Sequence, residues 1–285
     1  MAQKKYSKGV KKGTHTHSKK RPQNQVSFFS SSLFFKLVMT LSIVVILYSQ
    51  KRSIARYLGF TTDKIIYNEA RSMPIDKVLD THIEKSFGID LSEYQDNINW
   101  AKVKEIEGGY PIEFVFIRAT AGSNKVDKKF KKYWLRAKER GFIVGAYHYY
   151  RPNENSIEQA ENFIKQVTLV EGDFPPVLDI EKLPKAQSIK RLKVGLKRWL
   201  EKVEAHYGVK PIIYSSESYY EDFLKEDFGD YPFWIANYTA FYKEIDSEWS
   251  IWQLTENGKI PGIKGTVDLN IYNGTSVTMK ELLIK

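Results

Sequence analysis

Short apolar runs alternate with amphipathic stretches along this chain, and the alternation begins near residue 87. Phe87-Gly88-Ile89-Asp90 is an apolar run that ends in an acid. From Asn99 to Ile106 the apolar residues Trp100, Val103 and Ile106 fall three apart, a spacing that predicts a helix. Glu113 to Thr120 is β-branched and aromatic and predicts a strand. Lys128 to Arg140 predicts a helix with Gly141 as its C′ stop, and Phe142 to Tyr150 a further strand. Asn155-Ser156-Ile157-Glu158 has capping-box character and opens a helix that turns Ala160, Phe163, Ile164 and Val167 inward. Val177 to Glu181 predicts a strand. Ser188 then opens a long helix with Leu192, Leu196, Trp199, Leu200 and Val203 on one stripe. Pro211 to Ser215 predicts a strand, 217–225 a short helix, and Phe233 to Asn237, Ser250 to Leu254 and Thr266 to Tyr272 three more strands.

Such a series favours a parallel sheet with right-handed crossovers. Roughly eight strands over about 200 residues predict an α/β fold, an irregular (β/α) TIM-like barrel with fewer helices than the regular eightfold form. In such barrels the chemistry sits at the C-terminal strand ends. Those ends carry Asp90, Arg118, Tyr147 to Tyr150, Asp179, Glu181, Tyr214, Asn237, Gln253 and Asp268. Rings near the same rim (Tyr147, Tyr149, Tyr150, Tyr214, Trp234, Tyr238 and Trp252) could stack on the C–H faces of sugars, although alternation lets only about half of the residues in each strand face the barrel centre.

Val177-Leu178-Asp179-Ile180-Glu181 is the most informative segment. Residues i and i+2 of a strand share a face, so Asp179 and Glu181 project side by side. Two like charges held that close raise at least one pKa, which keeps a carboxylic acid beside a carboxylate, the pair that glycosidic cleavage uses. A metal site or a strand end with solvated acids is the plainer alternative. His148, between Tyr147 and Tyr149, should point away from the cleft, and Asp127 reads as a cap for the helix near Lys128.

Residues before the barrel read differently. Residues 1–32 are basic and polar with no apolar period and predict a disordered cytoplasmic tail. Residues 33–50 read as an uncleaved transmembrane signal-anchor, because Tyr48-Ser49-Gln50-Lys51-Arg52 is a poor cleavage site. Residues 51–85 read as a stalk, and 86–285 as the catalytic domain. The positive-inside rule then gives a single-pass protein of the cytoplasmic membrane with its domain on the extracytoplasmic side; secretion after signal cleavage is the alternative.

Charge sharpens this division. The net charge of +10 resembles a nucleic-acid signal, but 12 of the 44 Lys and Arg lie in residues 1–56, which have no acid. The remaining 32 basic residues face 34 acidic ones, so the body offers no basic groove for nucleic acid. The absence of cysteine excludes disulfides, thiolate catalysis, Cys-ligated zinc and lipoprotein acylation. No zinc-spaced His pair, phosphate loop or Ser/His/Asp order occurs, so neither metal nor cofactor is expected.

Eight segments in order resemble glycoside hydrolase family 25, the lysozymes that cleave N-acetylmuramic acid linkages in peptidoglycan. They are Phe-Gly-Ile-Asp-Leu-Ser-Glu-Tyr-Gln at 87–95, Phe-Ile-Arg-Ala-Thr at 116–120, Gly-Ala-Tyr-His-Tyr-Tyr-Arg at 145–151, Leu-Asp-Ile-Glu at 178–181, Ile-Ile-Tyr-Ser at 212–215, Phe-Trp-Ile-Ala-Asn-Tyr at 233–238, Ile-Trp-Gln-Leu at 251–254 and Val-Asp-Leu-Asn at 267–270. The resemblance implies Glu181 as general acid, Asp179 as its partner, Asp90 and Asp268 as further acids of the cleft, and Tyr147 and Tyr214 as contacts near the reacting sugar. Substrate contacts are expected from Tyr149, Asn237, Trp252, Gln253 and Arg118 as well. Asp179 is expected either to attack the sugar or to hold the substrate's own acetamido group. The expected partners are peptidoglycan glycan strands and the membrane, with the protein a monomer; a chitin-like substrate or a non-catalytic wall-binding role are the alternatives. The chain departs from the family pattern at Ala121, where an acid is common, which implies altered substrate contacts.

Overall fold

A computed structural model describes residues 75–238 and 248–285. The tail, the signal-anchor and most of the stalk lie outside the described residues. Among the described residues no helix is long and apolar enough to cross a membrane.

The chain begins with helix α1 (Ile75–Thr81), whose Val78 and Leu79 are buried in the core. The Tyr110 hydroxyl, on the strand labelled β3 below, donates to Asp80 at 2.5 Å and ties this helix to the sheet. The helix falls within the segment read as stalk, yet it packs as part of the folded domain. Strand β1 (Ser86–Leu91) follows and is buried throughout. A 3-10 turn (Glu93–Gln95) and the two-residue strand β2 (Glu105–Ile106) lead to β3 (Tyr110–Ala121). The helix expected over 99–106 is not there. Trp100, Val103 and Ile106 are buried as expected, but i→i+3 turns such as Lys102 N to Asn99 O produce their spacing. Gly108 and Gly109, at φ of +106° and +94°, turn the chain into a β2–β3 hairpin that a continuing helix would forbid.

The remaining elements follow the sequence pattern closely. They are β4 (Lys125–Val126), α2 (Phe130–Glu139), β5 (Ile143–Tyr149), α3 (Ser156–Gln166), β6 (Val177–Asp179), α4 (Ile189–Tyr207) and β7 (Ile212–Ser216). Two short helices, α5 (Glu217–Tyr219) and α6 (Lys225–Phe228), flank a π-turn (Tyr220–Leu224). Strands β8 (Phe233–Ala236), β9 (Ile251–Gly258) and β10 (Val267–Tyr272) and helix α7 (Ser276–Leu282) complete the domain. Asn155 caps α3 by accepting from the Ile157 and Glu158 amides, and Ser188 caps α4. Leu192, Leu196, Trp199, Leu200 and Val203 are the buried stripe of α4, as their spacing requires.

Eight strands close into a barrel in the order β1-β10-β9-β8-β7-β6-β5-β3, with β3 returning to β1. Helices are few because β1 reaches β3 through turns and a hairpin. One strand departs from the parallel arrangement that the sequence favours: β10 runs antiparallel to both β9 and β1. Its N-terminal end therefore lies at the same barrel mouth as the C-terminal ends of its neighbours. Strand β6 also stops at Asp179, two residues short of the expected Glu181.

Aromatic rings fill the barrel interior. Phe116 stacks on Trp234 at 4.5 Å and lies 4.7 Å from Phe174, which in turn meets Phe114 at 5.5 Å. Met279 and Leu283, in and just after α7, belong to the same buried cluster. Two glycines make room for the rings: a Cβ on Gly88 would fall 2.2 Å from Phe114, and one on Gly145 would fall 2.2 Å from Phe116. Neither ring can retreat in a closed, fully packed barrel. Gly145→Ala should therefore cost about 1–3 kcal/mol of stability despite the smaller unfolded-state entropy of alanine. Urea denaturation checks this, and an unchanged midpoint would show that the interior is not close-packed there.

Candidate active site

Most strands of the barrel bring a polar side chain to its mouth by the rule that alternate residues face inward. On β1, Gly88 and Asp90 face the interior. Asp90 lies directly opposite Asp268 in the antiparallel pairing with β10, and Gly88 lies opposite Asn270. Asp90 Oδ2 accepts from Gln253 Nε2 at 2.8 Å and from Asn270 Nδ2 at 2.9 Å. The hydroxyls of Tyr214 and Tyr238 both donate to Gln253 Oε1 at 2.7 Å, which fixes that amide with its NH2 toward Asp90. Trp234 Nε1 donates to Asn270 Oδ1 at 2.8 Å and orients the second amide in the same way.

Burial, and then the charge of Asp90, push the Asp268 carboxyl up to about 9. Asp268 is therefore protonated at neutral pH and donates to Asp90. Burial also pushes Asp90 upward, but its three donors oppose that shift. Two carboxyls thus share one proton, and the remaining charge is held by amides.

Asp179 and Glu181 complete the acids. Asp179 ends β6 and pairs across the sheet with Tyr149 and Tyr214. It is 4% exposed, and its Oδ1 is a buried oxygen with no hydrogen-bond partner among the described residues. Burial, then the charges of Glu181 and Asp90, push its carboxyl well above the ordinary range. Glu181 lies past the strand, but the Ile180 amide donates to the Tyr214 carbonyl at 3.0 Å and carries the extended geometry one residue further. Ile180 is buried in the outer core, so Glu181 returns toward the cleft beside Asp179. It is exposed at the mouth, yet hemmed in enough that lost hydration raises its pKa, with Lys182 opposing.

The other expected residues divide. Tyr147 packs with the interior cluster against Trp234 at 6.4 Å, near Asp90, Asp179 and Arg118, and burial raises its hydroxyl well above 10. Tyr149 faces the cleft with Lys182 Nζ 5.5 Å from its ring. Tyr214 and Gln253 are parts of the acid network. Arg118 reaches the same region, but its Nε donates to Asp127 at 3.0 Å, and its guanidinium lies 3.4 Å from Glu93 and 4.8 Å from the Tyr94 ring. Asn237 sits at the rim, where its amide donates to Glu217 at 2.6 Å. Trp252 is not brought into the cleft: it belongs to the outer core, next to Trp249 and His82, and its Nε1 donates to the Asn237 carbonyl. Its neighbour Gln253 takes the inward position, which alternation allows only one of the two.

Asp127 does more than cap a helix. It accepts from the Lys129 amide, the Glu93 amide and Arg118, and so fastens the loop after β1 to β3. His148 is wholly buried between Thr120 and Gln159, stacked on Trp199 at 5.5 Å, and burial pushes it down to about 4. The sequence reading missed Asn270, Lys182 and the Glu93–Tyr94 rim. Asn270 had a usable signal: it stands two residues after Asp268, on the same face of one strand.

Comparison with known proteins agrees with this geometry. Residues 89–263 match the family model for glycosyl hydrolases family 25. A protein of Escherichia coli, YegX, is 40% identical over 190 residues, which cover 66% of this chain and 70% of that protein. Lysozyme M1 of Streptomyces globisporus is 31% identical over 210 residues, covering 68% of this chain and 70% of the lysozyme. The structure of a family 25 glycosyl hydrolase from Bacillus anthracis superposes with a TM-score of 0.61 at 28% identity, covering 71% of this chain and 95% of that one. The ordered motifs, the irregular closed barrel with acids at its mouth and these matches agree: the chain belongs to glycosyl hydrolases family 25 and is a glycoside hydrolase of the lysozyme type.

Proposed function

We propose that this protein hydrolyses the β-1,4 bond between N-acetylmuramic acid and N-acetylglucosamine in peptidoglycan, with Glu181 as general acid and then base. The observation that carries the assignment is the unpartnered, buried Asp179 Oδ1 beside Glu181. A buried polar atom without a partner costs about 1–3 kcal/mol, which a substrate group can recover. The acetamido N–H of the bound sugar fits that role: Asp179 accepts it and orients the acetamido oxygen toward the anomeric carbon. Glu181 protonates the leaving oxygen and afterwards takes a proton from water. The pKa of Glu181, raised by lost hydration, suits a group that must donate a proton as a general acid. Asp90 and Asp268 hold the floor of the cleft, and Tyr147 and Tyr149 supply ring surface.

Glu181→Gln should lower kcat on purified peptidoglycan about 100- to 10,000-fold without unfolding the barrel. Reducing-sugar release measures this, and a wild-type rate would remove Glu181 from its role. Mass spectrometry of the products, showing which sugar bears the new reducing end, separates a muramidase from an enzyme of chitin-like specificity. A glycan lacking the N-acetyl group should resist cleavage; normal turnover of it would make Asp179 itself the nucleophile.

Asp268 gives a pH signature. Its folded pKa of about 9 lies above the ordinary value of 3.8, so the folded protein keeps a proton that the unfolded chain releases. That contribution to stability is fully present below pH 3.8 and is lost as the pH rises through about 9. Activity should fall over the same alkaline range as a second charge forms against Asp90. Asp268→Asn keeps a donor without the ionisation, so its alkaline limb should move away from pH 9. A pH–rate profile identical to wild type would count against the shared proton.

Residues 33–50 anchor the enzyme in this proposal and hold it against the inner side of the wall, which suits local remodelling of the cell's own glycan. Full-length protein should fractionate with membranes; recovery in the soluble extract or the culture medium would overturn the anchor.

A further inference from the structure

Beside the cleft lies a second concavity of about 560 Å³ whose lining includes three cations and one carboxylate. Its floor is Tyr150, and its walls are the loop from β5 to α3 and the first three turns of α4. Alternation makes it the reverse side of the active-site wall: Tyr149 faces the cleft and Tyr150 the groove. Gly195 keeps the floor open, since a Cβ there would fall 2.7 Å from the Tyr150 hydroxyl.

Lys190, Arg191 and Arg198 line this groove, all exposed, and none has an ion pair among the described residues. Other cations of α4 are engaged: Lys193 with Asp227, and Lys202 with Glu161. Among the described residues the one carboxylate in the groove, Glu154, is occupied by Arg151 at 3.0 Å and by the Ser123 amide at 2.7 Å. The N-terminal ends of α3 and α4 both open here and add positive potential. The walls are cross-tied, because Asn153 accepts from the amides of Lys185 and Ala186, and Gln187 donates to the Pro152 carbonyl. The groove is thus preformed and cationic, with Val194 as an apolar patch between the charges.

We infer that this groove binds the carboxylate-bearing peptide branch of the glycan strand whose sugars occupy the cleft. The inference rests on the peptidoglycan reading given above. Groove and cleft flank the same strand end, Tyr149 facing one and Tyr150 the other, and a branch of four or five extended residues, roughly 13–18 Å long, would have to pass over that rim to join them. A peptide with acidic groups and short alkyl side chains matches three cations around one apolar patch.

The test uses the full chain with Arg191 and Arg198 reversed together, Arg191→Glu and Arg198→Glu. The first substitution places Glu three residues after the Ser188 cap, a capping-box arrangement, so α4 should not be weakened. KM for peptide-bearing glycan should rise about tenfold, as for loss of one charge-assisted contact, with kcat unchanged. KM for glycan stripped of its peptides by an amidase should stay at the wild-type value. Equal KM for the two glycans in the wild type, or no change in the variant, overturns the inference. So does a variant that keeps its KM but no longer sediments with vesicles containing anionic phospholipid, which would make the groove a membrane contact. If wild-type protein hydrolyses neither glycan, the muramidase reading fails on its own. Calorimetry with the isolated acidic stem peptide still reads the groove: binding weakened about tenfold in the variant upholds it, and no binding by wild type refutes it.

Discussion

The site depends on one pairing: Asp90 and Asp268 face each other across adjacent strands at the mouth of a closed barrel. Burying two carboxylates together is untenable, since each desolvated ion costs several kcal/mol before their mutual repulsion is counted. The fold resolves this by keeping one proton on Asp268 and surrounding the remaining charge with aimed donors from Gln253 and Asn270. Those amides are aimed in turn by Tyr214, Tyr238 and Trp234. Four strands, β1, β8, β9 and β10, and β7 beside them are thereby locked by one charge, and Asp179 feels that charge as part of its own upward shift.

Below this layer the barrel is solid. Phe114, Phe116, Phe174 and Trp234 occupy the space that a wider barrel would leave for solvent. The same Trp234 that stacks on Phe116 donates to Asn270, so core packing and active-site polarity meet in one side chain. This coupling holds Asp90 and Asp268 on rigid strands rather than on loops, which is how a site keeps its geometry without substrate. Gly88 and Gly145 belong to the same arrangement: they are small because the rings beside them are large.

The rim around this floor is built from local charge rather than from overall charge. The body of the protein is close to neutral, yet Arg118, Asp127 and Glu93 clamp one side of the cleft while Lys182 stands near Tyr149 and Glu181 on another. Beyond the β5 strand end, the cationic groove on α4 faces outward. Because successive residues of a strand point to opposite faces, Tyr149 and Tyr150 serve two different surfaces from adjacent positions.

Much of this was legible in the sequence, because alternation and helical stripes are local properties. The buried stripe of α4, the Asn155 and Ser188 caps, the inward pair Asp179 and Glu181, and the outward His148 follow from period and capping chemistry alone. The failures also have local causes. Trp100, Val103 and Ile106 have the spacing of a helix, but consecutive turns give the same spacing, and Gly108-Gly109 close a hairpin instead. Trp252 was assigned to the cleft by its place near a strand end, whereas the partners of Gln253 decide which of the two neighbours faces inward. What only the tertiary structure settled is the direction of β10. No residue pattern within that strand states whether it runs with or against its neighbours, yet that direction places Asp268 opposite Asp90 and creates the shared proton. Residue type and period determine which side chains can face the cleft; strand direction and register, set by contacts far apart in the chain, determine which of them meet.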